Sequence, residues 1–140
     1  MSDSFFPDSH VLVYSFDPAE AAKSLRAKAL IREALASGRG VVSYQVVQEF
    51  LNVALRKFVQ TMTTLEAEQY LSVTLVPLLA VQSSRSLFAQ ALRLSRDFSV
   101  NWYDSLIVAA ALEARCSILY SEDFQHGQKF SDLRVVNPFL

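Results

Sequence analysis

Glycine is scarce in this 140-residue sequence, which contains Gly38, Gly40 and Gly127 and no others. The glycine-rich loops that bind dinucleotides, and the P-loops that bind nucleoside triphosphates, each need several closely spaced glycines. Glycine allows the backbone there to approach the phosphates without a Cβ atom in the way. The spacing seen here therefore excludes both kinds of loop.

Cysteine and net charge are also nearly absent. Cys116 is the one cysteine, so no disulfide can form within the chain, which favours a reducing compartment. Thirteen basic residues nearly balance 14 acidic ones, giving a formal charge of -1. Without an overall positive field, binding to nucleic acid would need a local basic patch or bridging metal ions.

Long apolar runs are absent as well. No run reaches the length of a membrane-spanning helix, and the N-terminal residues lack the basic character of a signal peptide. We therefore expect a cytoplasmic protein with no membrane partner. Hydrophobic residues make up 51% of the sequence, enough for a single domain over residues 1–140 to bury a core.

Predicted strands alternate with predicted helices along the chain. Strands are expected at 5–8, 41–44, 78–81, 117–121 and 133–138, and helices at 17–36, 45–58, 63–75, 83–97 and 101–115. The apolar run 11–16 fits either a strand or a helix, and residues 122–131 are expected to form a polar loop. This alternation predicts an α/β fold with three α/β/α layers and a mainly parallel central sheet.

The segment that begins at Asn101 leads into the most apolar helix. From Leu106 to Leu112 every residue is apolar, which predicts a helix buried on all sides. Asn101 can cap this helix, and Asp104 then lies in its first turn, where the helix dipole favours a carboxylate. Asp104 is therefore either part of the cap or one wall of an acidic site.

Four carboxylates are predicted to converge at one edge of the sheet, because ligands of open parallel sheets bind beyond the carboxyl ends of the strands. Asp8 and Asp123 follow predicted strands, and Asp104 begins the helix that leads into the strand before Asp123. Glu49 lies among apolar neighbours, where an unpartnered carboxylate is unfavourable. Each acid alone is explained as a turn, cap or loop residue, so the hypothesis depends on their joint placement.

Clustered carboxylates predict a bound cation. They repel one another and would take up protons at neutral pH unless a cation lay among them. Hard divalent cations accept oxygen ligands, and Mg²⁺ binds one or two carboxylates together with a substrate phosphate. Such an ion can activate water and neutralise charge on a phosphodiester. The predicted chemistry is metal-assisted phosphodiester hydrolysis.

Four segments of the sequence resemble the PIN-domain family, especially the small ribonucleases that are the toxins of VapBC-type toxin–antitoxin pairs. The segments are FPDSHVLVY at 6–14, QEFLN at 48–52, WYDSLIVAAA at 102–111 and LYSEDF at 119–124. Their order and spacing cover nearly the whole chain. The third segment is the most specific, and the second is weak alone.

The resemblance implies roles for the acids. Asp8 and Asp104 would be the main ligands of Mg²⁺ or Mn²⁺, while Glu49 and Asp123 would bind a metal-bound water or a second ion. The hydroxyl of Ser9 would support the site by hydrogen bonds.

The resemblance also implies partners, namely an RNA substrate, an antitoxin whose tail lies over the acidic site, and a second copy of the chain in a homodimer. Some apolar residues are candidates for such surfaces, although core packing explains them equally well. They are Phe58, Met62, Tyr70, Leu71 and Val76.

His10 departs from the family pattern, which usually has asparagine at this position. A charged imidazole would compete with a metal for the acids, whereas a neutral one could replace the hydrogen bond of the amide or bind a transition metal. A lone histidine at such a junction is more often structural than a ligand. His126 is expected on the surface.

The leading hypothesis is a metal-dependent ribonuclease with Asp8, Glu49, Asp104 and Asp123 as its catalytic residues. The alternative is a PIN-fold domain that binds RNA or protein and whose catalysis is weakened by His10. A third hypothesis is a phosphatase or a signalling receiver domain on a similar sheet. Within it, an aspartyl-phosphate enzyme of the Asp-x-Asp kind is disfavoured, since Asp8 is followed by Ser9 and His10.

Overall fold

The computed structural model describes residues 3–140. Its helices are α1 (Ser9–Tyr14), α2 (Ala21–Ser37), α3 (Tyr44–Arg56), α4 (Thr64–Tyr70), α5 (Val76–Leu78), α6 (Arg85–Phe98) and α7 (Trp102–Glu113). A π-helical turn, Leu71–Leu75, joins α4 to α5. The strands are β1 (Phe5–Pro7), β2 (Val42–Ser43), β3 (Leu79–Val81), β4 (Ile118–Tyr120), β5 (Lys129–Phe130) and β6 (Leu133–Val136).

The strands form a mainly parallel arrangement with helices beside it, which confirms the predicted fold class. In the larger sheet the order is β1-β4-β6-β5, with β4 parallel to both β1 and β6 and only β5 antiparallel. Strands β2 and β3 pair in parallel. A parallel bridge between Phe5 and Gly40 joins this pair to β1. β1 therefore lies between β4 and the segment that leads into β2.

Gly40 allows α2 to pack against this bridge. A Cβ atom at Gly40 would overlap the side chain of Ala34 and would lie 2.8 Å from the ring of Phe5. The neighbouring backbone is fixed by two hydrogen bonds, from the Phe5 N–H to the Arg39 carbonyl (3.0 Å) and from the Val41 N–H to the Phe5 carbonyl (2.9 Å). Glycine is required here by close approach of two parts of the chain.

Helix α7 is buried along most of its length, as its apolar sequence predicts. Every residue from Ser105 to Ala111 is buried, and α7 packs between the sheet and α6 with Trp102 beside Phe88 (ring centres 6.3 Å apart). Its buried residues belong to one hydrophobic core together with large side chains such as Phe6, Phe50 and Leu119. Within residues 3–140, no helix combines the length and apolar character needed to cross a membrane.

Near the N-terminus, the structure decides one open prediction and corrects another. The run that fitted either a strand or a helix is α1, and Val11 and Leu12 are buried. The prediction that a helix begins at Asp17 was wrong, because α2 begins at Ala21. Asp17 instead closes a turn, in which its Oδ1 accepts a 2.9 Å hydrogen bond from the Ala19 N–H.

The chain around Pro77 continues as a helix. The Val76 N–H bonds to the Leu71 carbonyl in the π-helical turn, and Pro77 follows directly in the first turn of α5. The wider turn accommodates a proline, which has no N–H to continue the regular pattern. Further along, the segment predicted as a polar loop contains β5, which pairs with β6.

Most of the apolar residues considered for partner surfaces pack against the core instead. Phe58, Met62, Tyr70 and Leu71 are partly buried there, and the ring of Tyr70 stacks on Phe50 at 4.9 Å. Val76 remains 53% exposed.

Candidate active site

The candidate site lies where β1 and β4 end. These strands are parallel, with Pro7 opposite Tyr120, so the residues after them emerge at the same edge. The Asp8 N–H donates a 3.0 Å hydrogen bond to the Tyr120 carbonyl, which extends the pairing by one residue. Asp8 is thereby placed beside the loop that carries Asp123.

Asp8 is the most buried of the four acids, with only 3% of its surface exposed. Its Oδ1 accepts the Ser9 N–H at 2.7 Å, as the cap of α1, and its Oδ2 accepts the Ser121 hydroxyl at 2.9 Å. Burial raises the pKa of Asp8, and the nearby His10 and these two hydrogen bonds offset only part of the effect. An ionised Asp8 is therefore in an unfavourable environment unless a cation binds beside it.

Ser121 joins Asp8 to Asp123, a role that the sequence analysis missed. The Ser121 side chain is fully buried, and its Oγ also accepts the Asp123 N–H at 3.0 Å. A serine whose hydroxyl bonds the N–H two residues later forms a local turn. The pattern Ser-x-Asp directly after a strand is the signal that would have indicated it.

Asp104 takes part in the cap of α7 and also faces the acidic cluster. Asn101 accepts the Asp104 N–H at 2.9 Å and donates its Nδ2 to the Asp104 Oδ2 at 2.8 Å. Burial raises the pKa of Asp104, and the charge of Asp123 adds to the effect, while the Asn101 hydrogen bond opposes it. Asp104 can therefore be part of the α7 cap and also one wall of the acidic site.

Glu49 faces the same cluster from α3. Burial is the main cause that raises the pKa of Glu49, and the charges of Asp8 and Asp123 raise it further. Hydrogen bonds from the side chains of Ser9 and Gln45 lower it in part. The charges of the four acids therefore influence one another, with the side chain of Ser9 beside Glu49. Of the four, Asp8 and Asp123 are the pair whose carboxylate oxygens lie within 4.8 Å of each other, together with His10.

Gln45 is a second residue that the sequence analysis missed. It lies one turn before Glu49 and is buried, with 5% of its surface exposed. Its Nε2 donates a 3.1 Å hydrogen bond to the carbonyl of Tyr103, the residue before Asp104. Its Oε1 has no hydrogen-bond partner among residues 3–140. Gln45 therefore ties the helix that carries Glu49 to the first turn of α7.

His10 lies beside two of the acids. Its Nδ1 is 3.9 Å from the Asp8 Oδ2 and 3.7 Å from the Asp123 Oδ2. Its Nε2 accepts the Glu122 N–H at 2.9 Å. One atom from each of Asp8, His10 and Asp123 lies within 4.8 Å of the others, so these three residues are close enough to surround an ion. His126 is exposed, as predicted, and its Nδ1 accepts the Asn137 N–H at 3.0 Å.

The Glu122 side chain is held by a different set of residues. Its Oε1 accepts the Tyr14 hydroxyl at 2.9 Å and its Oε2 accepts the Lys23 Nζ at 3.0 Å. The Lys23 Nζ also lies 4.7 Å from the centre of the Tyr14 ring. Burial raises the pKa of Glu122, but the hydrogen bonds from Lys23 and Tyr14 outweigh it, and the net pKa is lowered. Glu122 is therefore an ion-pair residue beside the acidic site.

The chemistry of the four acids suits a hard divalent cation, although within residues 3–140 only Asp8, His10 and Asp123 have side-chain atoms close enough to share one ion. The charge of Asp123 contributes to the raised pKa of Asp8, Glu49 and Asp104 alike, so the carboxylates oppose one another's ionisation. All of their donor atoms are oxygens, which Mg²⁺ and Mn²⁺ prefer. A cation among them would offset both the burial that mainly raises these pKa values and the smaller effect of repulsion.

The fold is similar to that of several solved toxin–antitoxin proteins. One is a toxin–antitoxin complex from Klebsiella pneumoniae, 18% identical, with 96% of this chain and 98% of that chain covered and a TM-score of 0.65. FitAcB from Neisseria gonorrhoeae is 16% identical, with 96% and 98% covered and a TM-score of 0.65. VapC20 from Mycobacterium tuberculosis, described as a Sarcin-Ricin loop cleaving toxin, is 19% identical, with 94% and 99% covered and a TM-score of 0.62.

The sequence itself identifies the family. No curated protein matches the chain. The model of the PIN domain matches residues 5–129, a range that includes all four acids, Ser9 and His10. The segments that resembled this family in the sequence therefore lie inside the matched range, and the chain belongs to the PIN domain family.

Proposed function

We propose that this protein is a metal-dependent ribonuclease that hydrolyses RNA phosphodiester bonds, and that it is the toxin of a type II toxin–antitoxin pair in the cytoplasm. The observation that carries the proposal is the convergence of Asp8, Glu49, Asp104 and Asp123 at the ends of β1 and β4. Burial, with a smaller contribution from their mutual repulsion, disfavours the ionised form of Asp8, Glu49 and Asp104, so a bound cation would be favourable there.

The metal would be Mg²⁺ or Mn²⁺, held mainly by Asp8 and Asp104. When bound, it would supply positive charge that activates water and stabilises the charge developing on the phosphate. The protein contributes the orientation of the acids, because Ser121 fixes Asp8 and Asn101 fixes Asp104. Glu49, beside Ser9 and Gln45, would bind a metal-bound water or a second ion.

RNA as the substrate is supported by the similarity to VapC20, whose description names it a Sarcin-Ricin loop cleaving toxin. The net charge of -1 gives no general attraction for RNA, so a metal bridge to the phosphates is consistent with the composition. An antitoxin partner is supported by the similarity to a toxin–antitoxin complex. Pairing into a homodimer is part of the same proposal and is tested by sedimentation of the purified chain.

The experiment is cleavage of a labelled RNA in the presence of Mg²⁺ or Mn²⁺. We expect Asp104→Asn to reduce the rate at least about 100-fold, because it removes a charged ligand worth several kcal/mol to the transition state. Glu113→Gln is the matched control, since Glu113 is an exposed carboxylate at the other end of the same helix. Equal rates for wild type and Asp104→Asn would contradict the proposal.

A second candidate function is a PIN-fold domain that binds RNA or protein without cutting it. The closeness of His10 to Asp8 and Asp123 is the observation that favours it, since the imidazole occupies space beside the acids. Calorimetry with Mn²⁺ separates the two functions. Measurable binding that disappears in Asp104→Asn supports the nuclease, and no binding to wild type supports the second candidate.

A further inference from the structure

His10 makes contacts of opposite kinds with its two ring nitrogens. Nε2 accepts a hydrogen bond from the backbone N–H of Glu122 at 2.9 Å. Nδ1 faces two carboxylate oxygens, the Oδ2 atoms of Asp8 and Asp123, at 3.9 and 3.7 Å. The ring is 80% buried, since only 20% of the side chain is exposed. Its orientation is therefore set by fixed neighbours on both sides.

These contacts select one neutral form of the imidazole. A nitrogen that accepts an N–H bond must present its lone pair, so Nε2 carries no hydrogen and the single ring hydrogen of the neutral form lies on Nδ1. The carboxylates favour the same arrangement, because an N–H group facing them is attracted whereas a lone pair would be repelled. Two independent neighbours thus specify the same position for the hydrogen.

We propose that His10 is a positioning residue that holds the Asp123 loop against α1, and that it lies beside the metal centre without being one of its ligands. To bind a metal through Nδ1, the ring would have to move its hydrogen to Nε2. Two N–H groups, of Nε2 and of Glu122, would then face each other across 2.9 Å. The lost hydrogen bond and the repulsion together oppose such a ligand.

The consequence for the metal centre is a set of carboxylate oxygens only. This deepens the proposed nuclease function and rests on it for the identity of the centre. Oxygen ligands favour Mg²⁺ or Mn²⁺, whereas imidazole nitrogen would favour Zn²⁺ and other transition metals. His10 therefore leaves the metal preference of the four acids unchanged, although it replaces the asparagine usual in the family.

The Asp123 loop is held at each of three successive residues. The Ser121 hydroxyl bonds Asp8, the Glu122 N–H bonds His10, and the Asp123 N–H bonds the Ser121 Oγ. The side chain of Asp123 is 56% exposed, so packing does little to orient it. Its backbone bonds take that role. His10 links the loop backbone to α1, while Tyr14 of α1 bonds only the side chain of Glu122.

The first test is the position of the ring hydrogens in ¹⁵N-labelled, metal-free protein at about pH 8, where an ordinary histidine is neutral. A long-range ¹H–¹⁵N spectrum distinguishes protonated from unprotonated ring nitrogens. His126 is an internal control, because its Nδ1 accepts the Asn137 N–H and its hydrogen must lie on Nε2. We expect opposite forms for the two rings, which are the chain's only histidines. A hydrogen on Nε2 of His10 would overturn the proposal.

The second test adds Zn²⁺, a diamagnetic ion that accepts both imidazole and carboxylate ligands. His126→Gln protein is used, so that a single imidazole remains. We expect the Nδ1–H signal of His10 to persist when Zn²⁺ is bound, because the acids alone hold the ion. Loss of this hydrogen, with the large ¹⁵N shift of a coordinated nitrogen, would show that His10 is a ligand.

The third test compares His10→Ala with His10→Gln, whose side-chain oxygen can still accept the Glu122 N–H. We expect His10→Ala to weaken Mn²⁺ binding in calorimetry about 10-fold and His10→Gln to restore most of it. Equal weakening in both folded variants would contradict a positioning role. These readouts need no RNA, so an inactive protein with the expected spectrum would refute the nuclease and leave the role of His10 intact.

Discussion

The hydroxyl of Ser121 donates a 2.9 Å hydrogen bond to the Oδ2 of Asp8, although the two residues are 113 positions apart in sequence. Both side chains are buried. The bond exists because β1 and β4 pair with Pro7 opposite Tyr120, which aligns the residues that follow. A shift of the register by one residue would separate the two groups.

Replacing Ser121 by alanine tests this link. Ser121→Ala removes a hydrogen bond to one acid and a backbone bond that orients another, so we expect Mn²⁺ affinity and RNA cleavage to fall about 10- to 100-fold. Calorimetry and a cleavage assay measure the two effects. Ser117→Ala is the control, since Ser117 lies just before β4 and its hydroxyl bonds the Ser4 carbonyl. Similar behaviour of both variants would show that the link is unimportant.

The stability of metal-free protein should depend on the ionisation of Asp8. Burial raises its pKa above the ordinary value of 3.8, so the folded state holds this proton more tightly than the unfolded chain. The stability it contributes is present at low pH and is lost as the pH rises through the raised pKa. In Asp8→Asn the side chain cannot ionise, so this pH-dependent loss of stability does not occur. We expect this variant to be more stable than wild type near pH 7, with the difference shrinking towards pH 4.

Urea unfolding at a series of pH values measures this difference. Addition of Mg²⁺ should stabilise wild type and leave Asp8→Asn nearly unchanged, because the ion binds the folded carboxylates. A variant that is less stable than metal-free wild type at neutral pH would show that the hydrogen bonds from Ser9 and Ser121 outweigh burial.

A side chain at Gly40 should destabilise the fold. Gly40→Ala places a methyl group against Ala34 and the Phe5 ring, and we expect a loss of about 1–3 kcal/mol in the free energy of unfolding. Gly38→Asn is the control, because Gly38 adopts φ +72° with open space around it and asparagine tolerates this conformation. Comparable losses in both variants would argue against close packing at Gly40.

The bond between Tyr14 and Glu122 should be measurable by a double-mutant cycle. Tyr14→Phe and Glu122→Gln each alter the 2.9 Å hydrogen bond, and we expect a coupling of about 1 kcal/mol in urea unfolding. Tyr44→Phe paired with Glu122→Gln provides the reference, since Tyr44 lies on α3 and makes no described contact with Glu122. Zero coupling for the first pair would show that Lys23 alone holds the carboxylate.

Much of the fold follows from local pattern. The apolar run after Asp104 predicts the buried helix, and Asn101, Ser84 and Thr63 cap helices as their chemistry indicates. Asp17 was misjudged because Asp-Pro begins turns as readily as helices, and only its bond to Ala19 distinguishes them. The run 11–16 was undecided because periodicity cannot separate a short buried helix from a strand.

Three of the candidate acids, Asp8, Asp104 and Asp123, could be grouped from the sequence because each lies at or near the predicted ligand edge of a parallel sheet. Glu49 was added because a carboxylate among apolar neighbours needs a partner. Gln45 could not be grouped with them, since a glutamine carries no signal until its partners are placed. The Ser-x-Asp pattern indicates the local turn at Ser121 but not its bond to Asp8, 113 residues away. The form of the His10 ring is set by the Glu122 backbone, 112 residues away, which no local pattern reveals. The contacts between polar side chains far apart in the sequence could be found only from the structure.

The pairing of β1 with β4 has a consequence for protein synthesis. The first strand leaves the ribosome early, but its partner in the sheet begins only at Ile118. A nascent chain that ends before this point carries Asp8 without Ser121, Asp123 or a neighbouring strand on that side. The acidic pocket can therefore form only after the chain has been synthesised beyond Asp123.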